Sequence, residues 1–256
     1  MNIAKILFLH HSTGADLIKY GRVREGLSKA AAQIELWDHG YEPTTGNWVQ
    51  RLFQPYIFGL RDGHGELRSE TFHIPDDNTN PDGLARLFSL DSGEDTALRQ
   101  ILAFDIIIFK SCFPVTRIST DADLDRYKSC YLNIRECIRK HPDRLFIPMS
   151  PPPLRSSLTT KSCAARARMF ASWLMSSDFR SSIENLIPYD YFDALAANAG
   201  DRYPNVLRPE YCRPLWFDSH PNARAHATVA PHWINHVLDA MSAFRPPPGC
   251  SHGSVS

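Results

Sequence analysis

Ile3-Ala4-Lys5-Ile6-Leu7-Phe8-Leu9-His10-His11-Ser12-Thr13-Gly14 is the stretch whose reading decides the fold. Ile3–Leu9 is a nearly unbroken apolar run, with no polar alternation, as expected of a strand covered on both faces in a parallel sheet. From Gly14 to about Gln33 the apolar positions Leu17, Ile18, Val23, Leu27 and Ala30/Ala31 recur at helical spacing, with a break expected near Gly21. Ser12 therefore sits where a buried strand gives way to a helix, at the carboxyl edge where α/β sites collect.

The same alternation continues outward. Strands are expected at Ile34–Trp37, Asp105–Lys110, Leu145–Met149 and Leu186–Tyr191. Helices are expected over Leu124–Arg139, about Ala164–Ser176 and about Asn222–Ala243. The pattern predicts a single three-layer α/β/α domain over residues 1–244, built on a parallel five-stranded sheet. Two segments do not fit it. Residues from about 41 to 92 are rich in Gly, Pro, Asp and Asn, with Trp48, Phe53, Tyr56, Phe58 and Phe72 interleaved, and read as an irregular insertion. Residues 245–256 lack apolar periodicity and read as a disordered tail.

Composition removes several functions. In 256 residues, 28 Lys+Arg balance 28 Asp+Glu, whereas a nucleic-acid or anionic-membrane binder needs a cation surplus. No stretch approaches the roughly 20 apolar residues of a membrane span. No secretory leader is evident, and six cysteines without a CxxC pair suggest reduced thiols, so a cytoplasmic protein is expected. No glycine-rich nucleotide loop occurs. His232 and His236 stand four apart on the last helix, but no carboxylate ligand accompanies them, so no metal and no cofactor is expected. The acidic run Pro75–Gly83 lacks the spacing of a calcium loop and reads as turns.

Two elements carry chemistry. Ser12 alone could be an N-cap, since serine is a preferred cap residue. Near the end stands Trp216-Phe217-Asp218-Ser219-His220-Pro221-Asn222, in which Asp218 and His220 are two apart and point to the same side of an extended loop. A serine, a histidine and an orienting carboxylate are the parts of an activated nucleophile. His10, His11 and His39 lie close enough in sequence to these elements to line the site, and the other histidines have no assigned role.

In order, these segments resemble the SGNH (GDSL-type) hydrolase family over roughly residues 3–244, a flavodoxin-like α/β/α fold. Ile3–Ser12 is similar to the family's first block, with His10-His11-Ser12 in place of Gly-Asp-Ser. Asp38-His39-Gly40 resembles the second block, Phe109–Phe113 lies where the third belongs, Ile147–Pro153 resembles the stop of the fourth strand, and Asp218–Asn222 looks like the last block. The resemblance implies Ser12 as nucleophile, His220 as base, Asp218 as its orienter and the Gly40 N–H as an oxyanion donor. The chain departs from the pattern twice. One residue, not two, separates Asp218 from His220, and Lys110-Ser111-Cys112 replaces the third block's asparagine. Candidate substitutes for that oxyanion donor are Lys110, Ser111, Asn78 and Asn80, and His11 is a candidate lining residue.

The expected activity is a serine hydrolase working through an acyl-enzyme, an esterase or a deacetylase of an O-acylated small molecule or carbohydrate. Two alternatives stand beside it: an acyltransferase with a non-water acceptor, and a non-catalytic SGNH-fold binding protein. The expected partner is a small-molecule ester. The sequence does not fix the oligomeric state.

Overall fold

The computed structural model describes residues 3–42, 58–70, 72–90 and 96–247. The strands are β1 (Ala4–His10), β2 (Ile34–Gly40), β3 (Gly59–Arg61), β4 (Ile106–Lys110) and β5 (Leu145–Met149). The helices are α1 (Ser12–Gly21), α2 (Val23–Ala30), α3 (Pro81–Phe88), α4 (Ala97–Ile101), α5 (Asp121–Lys140), α6 (Lys161–Met175), α7 (Ser177–Arg180), α8 (Tyr191–Leu195) and α9 (Ala223–Ala243). The sheet order is β3-β2-β1-β4-β5, parallel except for β3, which runs antiparallel to β2. This is an α/β fold with a five-stranded, mostly parallel sheet and helices on both faces.

The strands are apolar on both sides because both sides are covered. Ile6, Phe8, Ile106, Ile108 and Ile147 pack with Leu17, Leu27, Val229 and Trp233 of α1, α2 and α9. Leu7, Leu9, Ile107, Phe109 and Phe146 pack with Leu84, Phe88, Ile134 and Phe170 of α3, α5 and α6. Helix α5 starts where Thr120 and Asp123 cap one another in a reciprocal box, a pairing that satisfies two otherwise free backbone donors. The break expected near Gly21 falls at Arg22, whose left-handed backbone (φ 52°, ψ 39°) ends α1 and starts α2.

The fifth strand is not the one the apolar pattern predicts. Residues 185–189 do run parallel beside β5, with Ile187 N donating to Phe146 O (3.0 Å) and Tyr189 N to Pro148 O (2.9 Å). The ladder lacks a rung because Pro148 has no N–H to offer the Ile187 carbonyl, so only isolated bridges remain. The fifth strand is instead β3, from the 41–92 segment, where Leu60 pairs with His39 and Gly59 with Gly40. That segment also forms a 3-10 turn at Asp76–Thr79 and helix α3, so its described part is more regular than its composition suggests. Trp48, Phe53, Tyr56 and most of the 245–256 tail lie outside the described residues.

Gly14 sets how closely α1 approaches the sheet edge. A Cβ there would stand 2.3 Å from His10 Cβ and 2.8 Å from His10 Cγ, neither of which can swing away. Gly14→Ala should therefore push α1 outward and lower stability by about 1–3 kcal/mol, the usual range for overpacking. The urea unfolding midpoint is the measurement; an unchanged midpoint would contradict this packing.

Candidate functional site

Strand β1 ends at His10, His11 is the N-cap of α1, and Ser12 is its first helical residue. His11 offers no side-chain cap. The first-turn bonds run from Gly14 N (2.9 Å) and Ala15 N (3.2 Å) to His11 O, and the N–H groups ahead of them have no intrahelical partner. The Ser12 hydroxyl therefore stands at the positive end of a helix dipole.

His220 reaches it from the far end of the chain. His220 Nε2 lies 2.7 Å from Ser12 Oγ, and His220 Nδ1 lies 2.5 Å from Asp218 Oδ1. An ionised carboxylate can only accept, so Nδ1 carries the imidazole proton and Nε2 is left to accept from the serine hydroxyl. Burial alone would raise the Asp218 carboxyl. The backbone N–H of His220, 2.8 Å away, and its imidazole outweigh that and hold it below the usual range. A second imidazole, His11 Nδ1, lies 3.3 Å from Ser12 Oγ, and the Phe113 ring stands edge-on to His220 at 4.8 Å.

The loop carrying Asp218 and His220 is clamped to α1. The Arg213 guanidinium lies 2.6 Å from Asp16 Oδ2, one turn along from Ser12, and 3.7 Å from Asp218 Oδ2. Burial pushes the Asp16 carboxyl up, and the Arg213 charge opposes it. Neither Arg213 nor Asp16 belongs to a sequence motif; the two are 197 residues apart, and no local pattern announces the pair.

The remaining candidates are placed as follows. Gly40 closes β2, in register with His10 on one side and Gly59 on the other. Lys110 is buried and its ammonium donates to Thr13 Oγ1, next to the serine. The Ser111 hydroxyl is turned into the core, 3.2 Å from Tyr131 OH. Asn78 is buried, but its amide is committed to Pro75 O (3.0 Å) and Asp77 Oδ1 (3.2 Å). Asn80 is the N-cap of α3 and makes no side-chain cap there. The structure thus brings Ser12, His11, Asp218 and His220 together and does not bring the Ser111 hydroxyl to them.

Cys112, two residues past β4, is buried. Burial would raise its thiol, yet the Lys110 ammonium leads the groups that bring it down to about 6, and its sulfur lies 3.9 Å from Thr13 Oγ1. Among the described residues no group of three or more His, Cys, Asp or Glu could hold a metal ion, and no helix is long and apolar enough to cross a membrane.

His39 and His226 are buried, and desolvation lowers their imidazoles to about 4 and about 3. His10 is likewise held down to about 3 by burial, although its Nε2 faces Asp38 Oδ2 at 2.9 Å, a contact that by itself would raise it. For these bases the folded value lies below the unfolded 6.5, so the unfolded chain takes up protons first as pH falls. Their contribution is present above about pH 6.5 and is lost toward pH 4, each with a slope of up to about 1.4 kcal/mol per pH unit. The urea midpoint at pH 5 should accordingly lie below that at pH 7.5, and His226→Gln should flatten the difference. Separately, Arg213→Met takes the guanidinium from buried Asp16 and leaves Asp218 with His220 alone, and should cost about 1–3 kcal/mol. Arg213→Lys should recover part of that loss in the same denaturation assay.

The sequence matches no protein-family profile and no curated protein. Among solved structures, the chain is similar to a "putative acylhydrolase" from Bacteroides fragilis NCTC 9343, at 12% identity over 91% of this chain and 88% of that one, with a TM-score of 0.47. It is also similar to the N-terminal part of a Bacteroides fragilis protein containing a phosphatase domain complexed with Mg, at 10% identity, covering 94% of this chain and 52% of that one, with a TM-score of 0.46.

Proposed function

We propose that this chain is a serine esterase of the SGNH type, with Ser12 as nucleophile, His220 as general base and acid, and Asp218 as the group that fixes the imidazole. One observation carries the reading. The hydroxyl–imidazole–carboxylate chain is continuous at 2.7 and 2.5 Å although its members come from opposite ends of the sequence. A hydrogen-bonded order of nucleophile, base and orienter is the arrangement that activates a serine.

In the first step His220 Nε2 takes the Ser12 proton as Oγ bonds to the ester carbonyl carbon. The carbonyl oxygen becomes an oxyanion, held by the Ser12 N–H at the α1 terminus; the Gly40 N–H, which the resemblance assigns as a second donor, is turned to Gly59 of β3, because the adjacent Tyr41 N–H is the one that meets His10 O of β1. The C–O bond to the alcohol then breaks, and the proton passes from His220 to the leaving alkoxide. Water, deprotonated by His220, attacks the acyl-Ser12 carbonyl, and the acid and free Ser12 are released. The Lys110 ammonium, bonded to Thr13, stands near the oxyanion position, and the His11 imidazole lies beside Ser12 Oγ.

A second reading, a non-catalytic binding protein of this fold, is favoured by one feature. The Asn78 amide and Ser111 hydroxyl, two groups that could replace the family's asparagine, are engaged elsewhere. Losing one such donor costs on the order of 10²–10³ in rate, which weakens a hydrolase without abolishing it.

Labelling with a fluorophosphonate separates the two. Wild type should be labelled covalently and Ser12→Ala should not. Hydrolysis of a p-nitrophenyl ester should fall by about 10³–10⁴ in kcat in His220→Ala and Asp218→Asn. Folded wild-type protein that takes no label would defeat the esterase reading.

A further inference from the structure

Arg155, whose guanidinium donates to the carbonyls of Arg213 (3.3 Å), Leu215 and Asp218 (3.3 Å), also lines a cavity of about 730 Å³. That volume is in the range of sites for small organic molecules. Arg202 and Arg208 line the same cavity, and its lining among the described residues does not include Ser12, Asp218 or His220. The three arginines keep donors to spare. Arg155 makes its loop bonds through Nη1, so Nε and Nη2 have no partner among the described residues. Arg208 Nε donates to Ala196 O at 2.9 Å, which leaves both Nη groups unused. The Arg202 guanidinium lies 5.3 Å from the Tyr203 ring and makes no hydrogen bond to a described residue. None of these nitrogens is a buried orphan, so each is open to water.

The charges around the cavity are not neutralised in place. Asp201 and Glu210 line it too, but among the described residues neither pairs with any of the three arginines, and Asp201 Oδ2 is taken by Asn198 N at 2.6 Å. Guanidinium forks with free N–H groups match the oxygens of carboxylates and phosphates. A phosphate monoester brings three acceptor oxygens and a charge of about −1.5 to −2, against two oxygens and a single charge for a carboxylate. Three partly unused guanidiniums therefore suit the phosphate better. Tyr203, which is 45% exposed, gives the body of such a ligand a ring to pack on.

We propose that this cavity binds a phosphorylated small molecule through the unused guanidinium donors of Arg202 and Arg208, and that Arg155 passes its occupancy to the 213–218 loop. The site does not depend on Ser12 being a nucleophile. The link to the loop is physical, because one side chain serves both: Arg155 lines the cavity and holds the carbonyls at 213, 215 and 218. Ser156 also lines the cavity, and its neighbour Ser157 donates from Oγ to Trp216 O at 2.8 Å, which makes Trp216 a reporter for the loop.

The test has two arms. In the first, phenyl phosphate is titrated into the protein in a calorimeter. Wild type should give saturable binding, and Arg202→Gln and Arg208→Gln should each weaken it by about tenfold, the effect of losing one charge-assisted contact. Arg202→Gln removes no described hydrogen bond, so its fold should be intact; for Arg208→Gln the urea midpoint is checked, and Arg208→Lys should recover only part of the affinity. Benzoate, which keeps the ring and replaces the phosphate, should bind at least about tenfold more weakly than phenyl phosphate. In the second arm, tryptophan fluorescence is followed through the same titration. A change with the calorimetric midpoint that is lost in Trp216→Phe supports the link to the loop. No saturable heat in wild type, or an affinity unchanged in both glutamine variants, overturns the site. Benzoate binding as tightly as phenyl phosphate overturns the phosphate assignment in favour of a carboxylate. Heat without a Trp216 signal overturns the link through Arg155.

Discussion

Strand β1 is paired in parallel on both sides, Leu7 facing Trp37 of β2 and Ile107 of β4, and every side chain from Ile6 to His10 is buried. A slip of one residue would exchange Leu7 and Leu9 with Ile6 and Phe8 and reverse both cores at once, so its register has no tolerance. The position of Ser12 follows from that constraint, because the serine is two residues past the strand's end. His10 adds a polar lock. Its ring meets Asp38 of β2, and Asp38 is in turn held by Arg24 of α2, whose guanidinium also donates to the backbone at Leu36 and Asp62. A buried carboxylate satisfied from two sides stays ionised at lower cost than one left alone.

The other half of the site is placed by different means. Asp218, Ser219 and His220 lie in a loop, which has no ladder to fix it. Arg155 gathers its carbonyls from below, Ser219 Oγ accepts from Arg155 N at 3.2 Å, and Arg213 ties it to α1. Asn222 then caps α9, with Ala225 N donating to its side chain at 3.0 Å, so the loop ends on a fixed point. Two arginines thus do for the loop what β1's neighbours do for the serine.

Much of this was legible in the sequence. Uninterrupted apolar runs gave β1, β4 and β5 because strands covered on both faces carry no alternation to confuse the reading. Ser12 and the Asp218–His220 pair stood out by residue type and order. Elements made by distant partners did not stand out. β3 is three residues long and exists because Gly59–Arg61 finds β2. Arg213 looks like any loop arginine until Asp16 is brought to it. The Ser111 hydroxyl, a reasonable oxyanion candidate by position, is claimed by Tyr131, a partner 20 residues away on α5. A strand is also expected at Leu186–Tyr191 in a parallel sheet; residues 185–189 do run parallel beside β5, and one missing N–H at Pro148 reduces the pairing to bridges.

Pro188 beside β5 and the short strand β3 bear on whether the sheet can be extended at its borders. Ile187 and Tyr189 turn their N–H groups inward to β5, so residue 188 turns away from β5, where the buried Pro188 has no N–H to present. At the opposite border β3 is short and folds back on itself, Arg68 N donating to Leu60 O at 2.9 Å and Arg61 bridging Leu67. A second molecule seeking to extend the sheet would find a largely buried border lacking a donor at Pro188 on one side and an occupied border on the other. Interrupting or covering a border in this way is how sheet proteins avoid self-association into ordered aggregates.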